Sequence, residues 1–303
     1  MKNLALDLSG DDTRAQRPLA APLGGGEWAG LGAVVVALMV LYGPVLLRLA
    51  AQWWTDENYS YGFLVPLFCA WLVYRRRSCL RELPRQPAAG GWGLAALAVA
   101  MLLVGRLGSE LLLTRVSLLI MLAGLIVALL GWAWLRGLAF PLAFLGFMIP
   151  WPTLIYNLAT IPLKAIATRA GVGMVAWTRL PILREGNLIV LPGSVLDVVA
   201  ACSGIRSLLA LLALATGYGY LLEPVPWRRV VLVAAMPPLA VVSNAIRIAL
   251  TILLTFRFGT GASEGVWHML TGMQVFAVAV LGLVLLQRGL RAWPAHAARG
   301  GHA

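Results

Sequence analysis

The chain has 303 residues, of which 60% are hydrophobic and only 12% are charged. Its mean hydropathy of +0.85 excludes an ordinary soluble domain and predicts an all-α polytopic membrane protein. The formal net charge of +12 would suit a nucleic-acid-binding protein. The basic residues, however, lie mostly between apolar runs, which is the positive-inside pattern of a membrane topology. We therefore expect no nucleic-acid partner.

The few cysteines and histidines exclude two kinds of site. Three cysteines, Cys69, Cys79 and Cys202, show neither a CxxC pair nor a regular spacing, so they predict no disulfide framework and no zinc site. His268 is the one histidine outside the C-terminal tail, and there is no His-Glu-x-x-His motif. We therefore expect no metal and no cofactor.

The two ends of the chain differ from its body. Residues 1–27 are polar and contain glycine and proline, which predicts a disordered cytoplasmic tail without a cleavable signal peptide. The transmembrane domain is predicted over residues 28–290, and a second cytoplasmic tail over residues 291–303.

Apolar runs divide the body into about eight predicted transmembrane helices. The predicted spans are residues 28–49, 62–74, 90–104, 111–135, 138–150, 204–222, 230–256 and 267–286. Residues 153–177 are apolar but carry Asn157, Lys164 and Arg169, as an interfacial or bundle-facing helix would. Arginine clusters mark the cytoplasmic ends, so both termini are predicted inside. These arginines are Arg75, Arg76, Arg77, Arg81, Arg85, Arg228, Arg229, Arg288 and Arg291.

A short extracytoplasmic hairpin is predicted over residues 185–197, around Pro192-Gly193, just before a conspicuous cysteine. Cys202 stands where this polar segment gives way to a long apolar helix. The positive end of a helix dipole favours thiolate over thiol, and Arg206 follows one turn later on the same face. The sequence therefore predicts a reactive thiolate at this helix start.

Two further polar residues are predicted at the same depth as Cys202. Arg247 lies 18 residues beyond Arg229, or about 27 Å along a helix, and His268 lies 20 residues before Arg288, or about 30 Å. Cys202 immediately precedes a span that descends to Arg228. Three separate helices therefore bring these residues to the extracytoplasmic boundary.

Together the three residues provide the groups that acyl transfer through a cysteine requires. The histidine accepts the thiol proton, the thiolate attacks a carbonyl, and the arginine stabilises the oxyanion. Each residue alone also fits a plainer role. Cys202 fits a small buried residue, Arg247 an arginine that snorkels to the interface, and His268 an interfacial histidine.

Three blocks of sequence resemble the signature blocks of the exosortase/archaeosortase family. They are Ala201-Cys-Ser-Gly-Ile-Arg-Ser207, Asn244-Ala-Ile-Arg-Ile248 and Trp267-His268. The segment from Asp56 to Pro66 is similar to the family's N-terminal outer-loop motif, although Tyr61 stands where many relatives have histidine. The resemblance extends over roughly residues 28–290.

The resemblance implies an integral-membrane cysteine protease or transpeptidase of the bacterial plasma membrane, with its active site extracytoplasmic. Its implied partners are exported proteins whose C-terminal sorting signal combines a Pro-Glu-Pro-type motif, a membrane helix and a basic tail, together with membrane lipid. It implies Cys202, Arg247 and His268 as catalytic residues. Arg206, Asn244 and Tyr59 are candidate substrate-binding residues, and Arg179 and Arg184 fit either substrate recognition or interfacial anchoring.

Two other classes of function stay open from the residues alone. The first is a transporter or an assembly factor for exported polysaccharide, although the chain shows no internal repeat and no charged residues midway through several spans. The second is a lipid-linked phosphate enzyme that uses Arg206, Arg247 and His268. Neither of these needs Cys202.

Overall fold

The computed structural model describes the backbone of residues 25–178, 180–185, 188–191, 194–197, 206–259 and 265–292. Almost all of this chain is helical. Eleven helices within the described ranges are α1 (Gly25–Thr55), α2 (Leu64–Arg75), α3 (Arg77–Arg81), α4 (Gly90–Leu107), α5 (Leu111–Leu129), α6 (Trp132–Phe144), α7 (Thr153–Ala176), α8 (Arg206–Leu222), α9 (Pro226–Ala234), α10 (Met236–Phe258) and α11 (Gly265–Ala292). Short 3-10 helices cover Glu57–Phe63 and Leu145–Met148. The prediction of an all-α polytopic membrane protein is confirmed.

Helices α4 and α5 form a hairpin that packs closely because small residues line the contact. A Cβ on Gly105 would come within 2.8 Å of Thr114 Cγ2, and one on Gly124 within 2.8 Å of the Ala95 backbone nitrogen. Small residues allow membrane helices to approach at short range. We call the end of the bundle that carries the α4–α5 turn (residues 108–110) the distal face, and the end that carries residues 75–77 the proximal face.

The first predicted span differs from expectation. Helix α1 continues to Thr55, six residues beyond the predicted end of the span at residue 49. The Trp53 side chain explains the extension, because its ring is buried and its Nε1 donates to the Met148 carbonyl at 2.9 Å. The chain then turns closely over this ring: a Cβ on Gly62 would come within 2.5 Å of it.

The predicted span over residues 111–135 is wrong in its last six residues. Helix α5 ends at Leu129 because Gly131 takes a φ of +96°, and α6 begins at Trp132. A side chain at residue 131 would collide with the Gln86 backbone carbonyl, so this position requires glycine.

The number of spans stays a prediction. Within the described residues, six helices are long and apolar enough to cross a membrane, and two shorter apolar helices accompany them. The six are Gly32–Thr55, Gly90–Leu107, Leu111–Leu129, Leu154–Ala176, Pro226–Phe258 and Leu270–Ala292; the shorter ones are Trp132–Met148 and Leu208–Leu222. The predicted span over residues 62–74 contains only the 12-residue α2, which is about 18 Å long.

Helix α7 is long enough to span, yet the surroundings of both its ends belong to the distal half of the bundle. Pro152, just before α7, lines a cavity with Gln52 and Glu110 at the distal ends of α1 and α5. Near its other end, Val175 packs with Ile252 in the distal half of α10. These surroundings agree with the interfacial or bundle-facing helix expected for residues 153–177.

The hairpin predicted before α8 is present and has one additional strand. Strands β1 (Leu183–Glu185), β2 (Leu188–Leu191) and β3 (Ser194–Asp197) form an antiparallel sheet in the order β1-β2-β3. Leu191 pairs with Ser194, on either side of the predicted Pro192-Gly193 turn, which lies outside the described residues. The alternate residues Ile189 and Leu191 are buried against α7 and α10.

A polar cluster ties α8, α9 and α11 together at the proximal face. The Glu223 carboxylate is 1% exposed and accepts hydrogen bonds from Gln287 Nε2 at 2.6 Å and Arg291 Nε at 2.7 Å. Arg228 Nη1 lies 3.9 Å from Glu223 Oε2, and Arg229 Nε donates to the Glu223 backbone carbonyl. Burial raises the pKa of Glu223, but the hydrogen bonds and the neighbouring arginine charges together lower it by more. The net pKa of Glu223 therefore falls below its ordinary value.

Candidate functional site

The structure places two of the three predicted catalytic residues by their backbone. Arg247 lies in the middle of α10, and His268 lies in the first turn of α11. Arg206 is the first residue of α8. Cys202, four residues earlier, lies outside the described residues, and so does Arg179. The side chains of Arg206 and His268 are likewise outside them.

Two contacts allow the depths of these residues to be compared. Glu223, directly after α8, is hydrogen-bonded to Gln287 of α11, which fixes the level of these two helices. A Cβ on Gly282 of α11 would come within 2.7 Å of Leu239 Cδ2, which fixes the level of α10. Along straight helices, the α-carbons of Arg247, Arg206 and His268 then lie about 20, 25 and 28 Å from the Glu223 level.

These three positions therefore come from three different helices and fall within about 8 Å of one another in depth. If Glu223 marks the proximal end of a hydrocarbon core about 30 Å thick, Arg206 and His268 lie close to its distal end and Arg247 lies about 10 Å inside it. The sequence predicted Arg247 and His268 at the extracytoplasmic boundary itself, whereas these levels put Arg247 deeper, about 8 Å below His268. The two depths differ because Arg247 is 11 residues from the distal end of α10, whereas His268 lies in the first turn of α11.

Arg247 is only 4% exposed, which bears on its plainer alternative role. An arginine that snorkels to the membrane interface would hold its guanidinium in water or among lipid headgroups, and so would be exposed. Burial inside the helix bundle instead resembles the setting of intramembrane arginines that serve a cavity or a partner. The snorkelling alternative is therefore disfavoured.

Helix α10 presents a polar stripe around Arg247 that was not among the predicted site residues. Ser243, Arg247, Thr251 and Thr255 are all buried and recur at intervals of four residues. Residues four apart lie on the same helix face. This periodicity was available in the sequence, and it marks the face of α10 that turns away from lipid.

Asn244 follows the buried Ser243 on α10 and lines a small cavity with a polar atom that lacks a hydrogen-bond partner among the described residues. It is 4% exposed and lines a small cavity of about 10 Å³ with Lys164 of α7 and Leu208 of α8. Its Oδ1 has no hydrogen-bond partner among the described residues. Leu208 follows Arg206 by two residues, so Asn244 lies where α7 and α10 meet the beginning of α8.

The three-stranded sheet packs against α10 beside Arg247. Ile189 and Leu191 of β2 pack in one cluster with Ile248 and Ile252 of α10, and Ile248 directly follows Arg247. Strand β3 ends at Asp197, five residues before Cys202. The sheet therefore packs against α10 and precedes the predicted nucleophile in the chain. Arg184 lies on β1 of the same sheet.

The loop that carries Tyr59 is tightly packed. Asp56 caps its 3-10 helix by accepting from the Asn58 backbone nitrogen at 2.9 Å. Burial raises the pKa of Tyr59, a hydrogen bond with the Trp151 backbone lowers it, and the net change is upward. Burial likewise raises the pKa of Tyr61. Both phenols therefore stay neutral, and Tyr59, which is 7% exposed, offers little surface to a substrate.

An apolar groove of about 380 Å³ runs along α8 from the distal half to the proximal half of the bundle. Its walls come from α2, α8 and α11. Small residues form part of its floor, and the residues that line it are Tyr61, Leu64, Val65, Phe68, Phe144, Ala210, Ala213, Leu214, Gly217, Tyr218, Leu221 and Phe276. Small residues in an apolar groove suit the close approach of another membrane helix.

Comparison with known proteins gives one match. The family model described as transmembrane exosortase (Exosortase_EpsH) matches residues 53–285, which contain every residue of the candidate site. No curated protein and no solved structure matches the chain.

Proposed function

Because the chain belongs to the transmembrane exosortase family, we propose that it is a membrane cysteine peptidase or transpeptidase that cleaves C-terminal sorting signals of exported proteins. The proposed catalytic residues are Cys202, Arg247 and His268. The observation that carries the proposal is the common depth of Arg206, Arg247 and His268, within about 8 Å on three different helices. Arg206 begins the helix that follows Cys202 by four residues.

The proposed reaction has two steps. The His268 imidazole takes the proton of the Cys202 thiol, and the thiolate attacks the carbonyl carbon of the scissile peptide bond. Arg247 stabilises the oxyanion. The carbon–nitrogen bond breaks, His268 returns the proton to the leaving amine, and a thioester remains on Cys202. Water then releases a carboxylate, or a second amine forms a new amide.

The proposed substrate is a protein whose C-terminal signal contains a short acidic Pro-Glu-Pro-type motif, a membrane helix and a basic tail. The membrane helix would occupy the apolar groove along α8, which is lined by Ala210, Ala213 and Gly217. Its distal end would then lie beside the beginning of α8, close to the predicted nucleophile. Arg206 and Asn244 are the proposed contacts for the acidic motif, with Tyr59 as a further candidate.

The proposed orientation follows from the charge distribution. The proximal face carries Arg75, Arg76 and Arg77, and positively charged loops stay in the cytoplasm. The distal face is therefore extracytoplasmic, both termini are cytoplasmic, and the protein resides in a bacterial plasma membrane. A sorting signal with a membrane helix and a basic tail would insert in the same orientation, with its cleavage motif at the distal face.

Replacement of the three cysteines tests the proposal. We expect Cys202→Ser to abolish processing of a co-expressed sorting-signal protein, whereas Cys69→Ser and Cys79→Ser leave it intact. Processing is followed by the size of the substrate on an immunoblot, and the amount of each variant in the membrane is measured in parallel. Full processing by a normally accumulating Cys202→Ser protein would exclude Cys202 as the nucleophile.

A further inference from the structure

A basic cavity lies at the distal face, between α1 and the α4–α5 hairpin. It has a volume of about 600 Å³, and three arginines from three helices line it: Arg48 on α1, Arg106 on α4 and Arg115 on α5. Its remaining lining residues are Pro44, Val45, Gly105, Ser109, Leu111 and Thr114. None of the predicted catalytic or substrate-binding residues belongs to it.

The lining of this cavity contains three arginines and no carboxylate among the described residues. Glu110, between the lining residues Ser109 and Leu111, lines a neighbouring cavity together with Arg115, so one carboxylate near the site faces three arginines. Arg115 is 5% exposed, and its Nη2 donates to the neutral Gln52 Oε1 at 2.6 Å. Arg106 Nη2 donates to the Leu41 carbonyl at 2.7 Å. Both partners are uncharged, so a bound anion would offset the repulsion between the three guanidinium groups.

The shape of the guanidinium group and the available hydroxyls identify the kind of anion. Arginines bind phosphate through two parallel hydrogen bonds, and they do so more strongly than neutral donors. Ser109 and Thr114 add side-chain hydroxyls to the same lining. A cavity of this volume is within the range that holds a small ligand rather than a single ion.

The apolar surroundings of the cavity indicate that this ligand comes from the membrane. Exposed apolar side chains adjoin the cavity-lining residues on the same two helices. Leu47 precedes Arg48, Val40 lies one turn before Pro44, and Leu103 and Leu107 lie on either side of Arg106. Such surfaces suit acyl chains, whereas a free anion would need none of them.

We propose that this cavity binds an anionic phospholipid, with the headgroup phosphate held by Arg48, Arg106 and Arg115 and the acyl chains lying along α1 and α4. The site is separate from the proposed reaction, so the two proposals stand or fall independently. Bound lipid would fasten the distal half of α1 to the α4–α5 hairpin.

The test uses the full-length chain in nanodiscs of equimolar phosphatidylglycerol and phosphatidylcholine, released into detergent and weighed by native mass spectrometry. We expect the wild type to retain phosphatidylglycerol in preference to phosphatidylcholine. Arg48→Gln/Arg106→Gln should lower this retention at least about tenfold, since two charge-assisted contacts are lost. Both side chains are exposed, so the fold should be preserved. Arg257→Gln, an exposed arginine at the end of α10, is the matched control and should behave as wild type.

Several results would overturn the proposal. One is equal retention of phosphatidylglycerol by the double variant and the wild type, or equal loss in Arg257→Gln. Another is displacement of the lipid by millimolar inorganic phosphate, which would make the cavity a site for a free anion. Displacement by a soluble Pro-Glu-Pro-type peptide would make it a subsite for a peptide carboxylate.

Discussion

Gly171 of α7 lies directly against Ala245 of α10: a Cβ on residue 171 would come within 2.8 Å of the Ala245 carbonyl oxygen. The same Cβ would come within 2.8 Å of Ile248 Cβ. Arg247 lies between these two contacts in the sequence. The close approach of α7 thus encloses the part of α10 that carries the candidate site.

The contact predicts a clear difference between two neighbouring glycines. Gly171→Val should lower the free energy of unfolding by about 1–3 kcal/mol, because the obstructing atoms belong partly to backbone. Gly173→Val, on the same helix, meets nothing within 4 Å and should have little effect beyond helix propensity. Thermal unfolding in detergent measures both. Equal destabilisation by the two variants would mean that the α7–α10 contact is not tight.

Arg247→Lys distinguishes an oxyanion donor from a structural charge. Lysine keeps the charge but loses the planar fork of donors, so we expect processing to slow by about 10²–10³-fold. The rate of sorting-signal cleavage is measured with equal amounts of protein in the membrane. Near-wild-type cleavage by a well-expressed Arg247→Lys protein would return Arg247 to a structural role.

Filling the groove along α8 should impair substrate docking without touching the site. Leu214 is 37% exposed in the groove, whereas Leu250 on α10 has a matched exposure of 38% outside it. We expect Leu214→Trp to slow cleavage at least about tenfold by misplacing the substrate, and Leu250→Trp to leave it unchanged. Alkylation of Cys202 should proceed equally in both. Normal cleavage by Leu214→Trp would exclude the groove as the docking place.

The Glu223 cluster predicts a dependence of stability on pH. Because the folded-state pKa of Glu223 is lowered, its contribution is present above the ordinary value of 4.5 and disappears as pH falls through the folded-state pKa. Glu223→Gln should therefore lose about 2 kcal/mol at neutral pH, a low figure for a buried pair because Arg291 is half exposed. The free energies of unfolding of the wild type and of Glu223→Gln are compared between neutral pH and pH values below 4.5.

Glu82→Gln, at an exposed position near the proximal face, serves as the control and should follow the wild type. If wild type and Glu223→Gln differ by the same amount at all pH values, Glu223 stabilises the fold by packing rather than by its charge.

The features that the sequence predicted well depend on chain length and local pattern. The distance from His268 to Arg288 follows from a residue count, because both residues lie on the single helix α11 and a helix rises uniformly. Arg229 and Arg247 lie on two successive helices, α9 and α10, so a count along one helix does not give their separation. The strands around Pro192-Gly193 follow from turn chemistry, and their register is observed in the pairing of Leu191 with Ser194. These predictions needed no knowledge of which helices are neighbours.

The features that the sequence did not reveal depend on long-range partners. The bond from Gln287 to Glu223 joins residues 64 apart, and that from Arg115 to Gln52 joins residues 63 apart. No periodicity relates such residues, so their pairing emerges only when the helices pack. The extension of α1 to Thr55 has the same cause, because the Trp53 side chain is held by the distant Met148 carbonyl.

Interception of the proposed thioester on Cys202 tests the proposed cysteine mechanism directly. A co-expressed sorting-signal protein is processed in membranes with and without neutral hydroxylamine, and the mass of its new C-terminus is measured. A thioester reacts with hydroxylamine, so we predict a C-terminal hydroxamate that disappears, with all cleavage, in Cys202→Ser. A free carboxylate as the sole product in hydroxylamine, or cleavage that persists in Cys202→Ser, would contradict the cysteine mechanism.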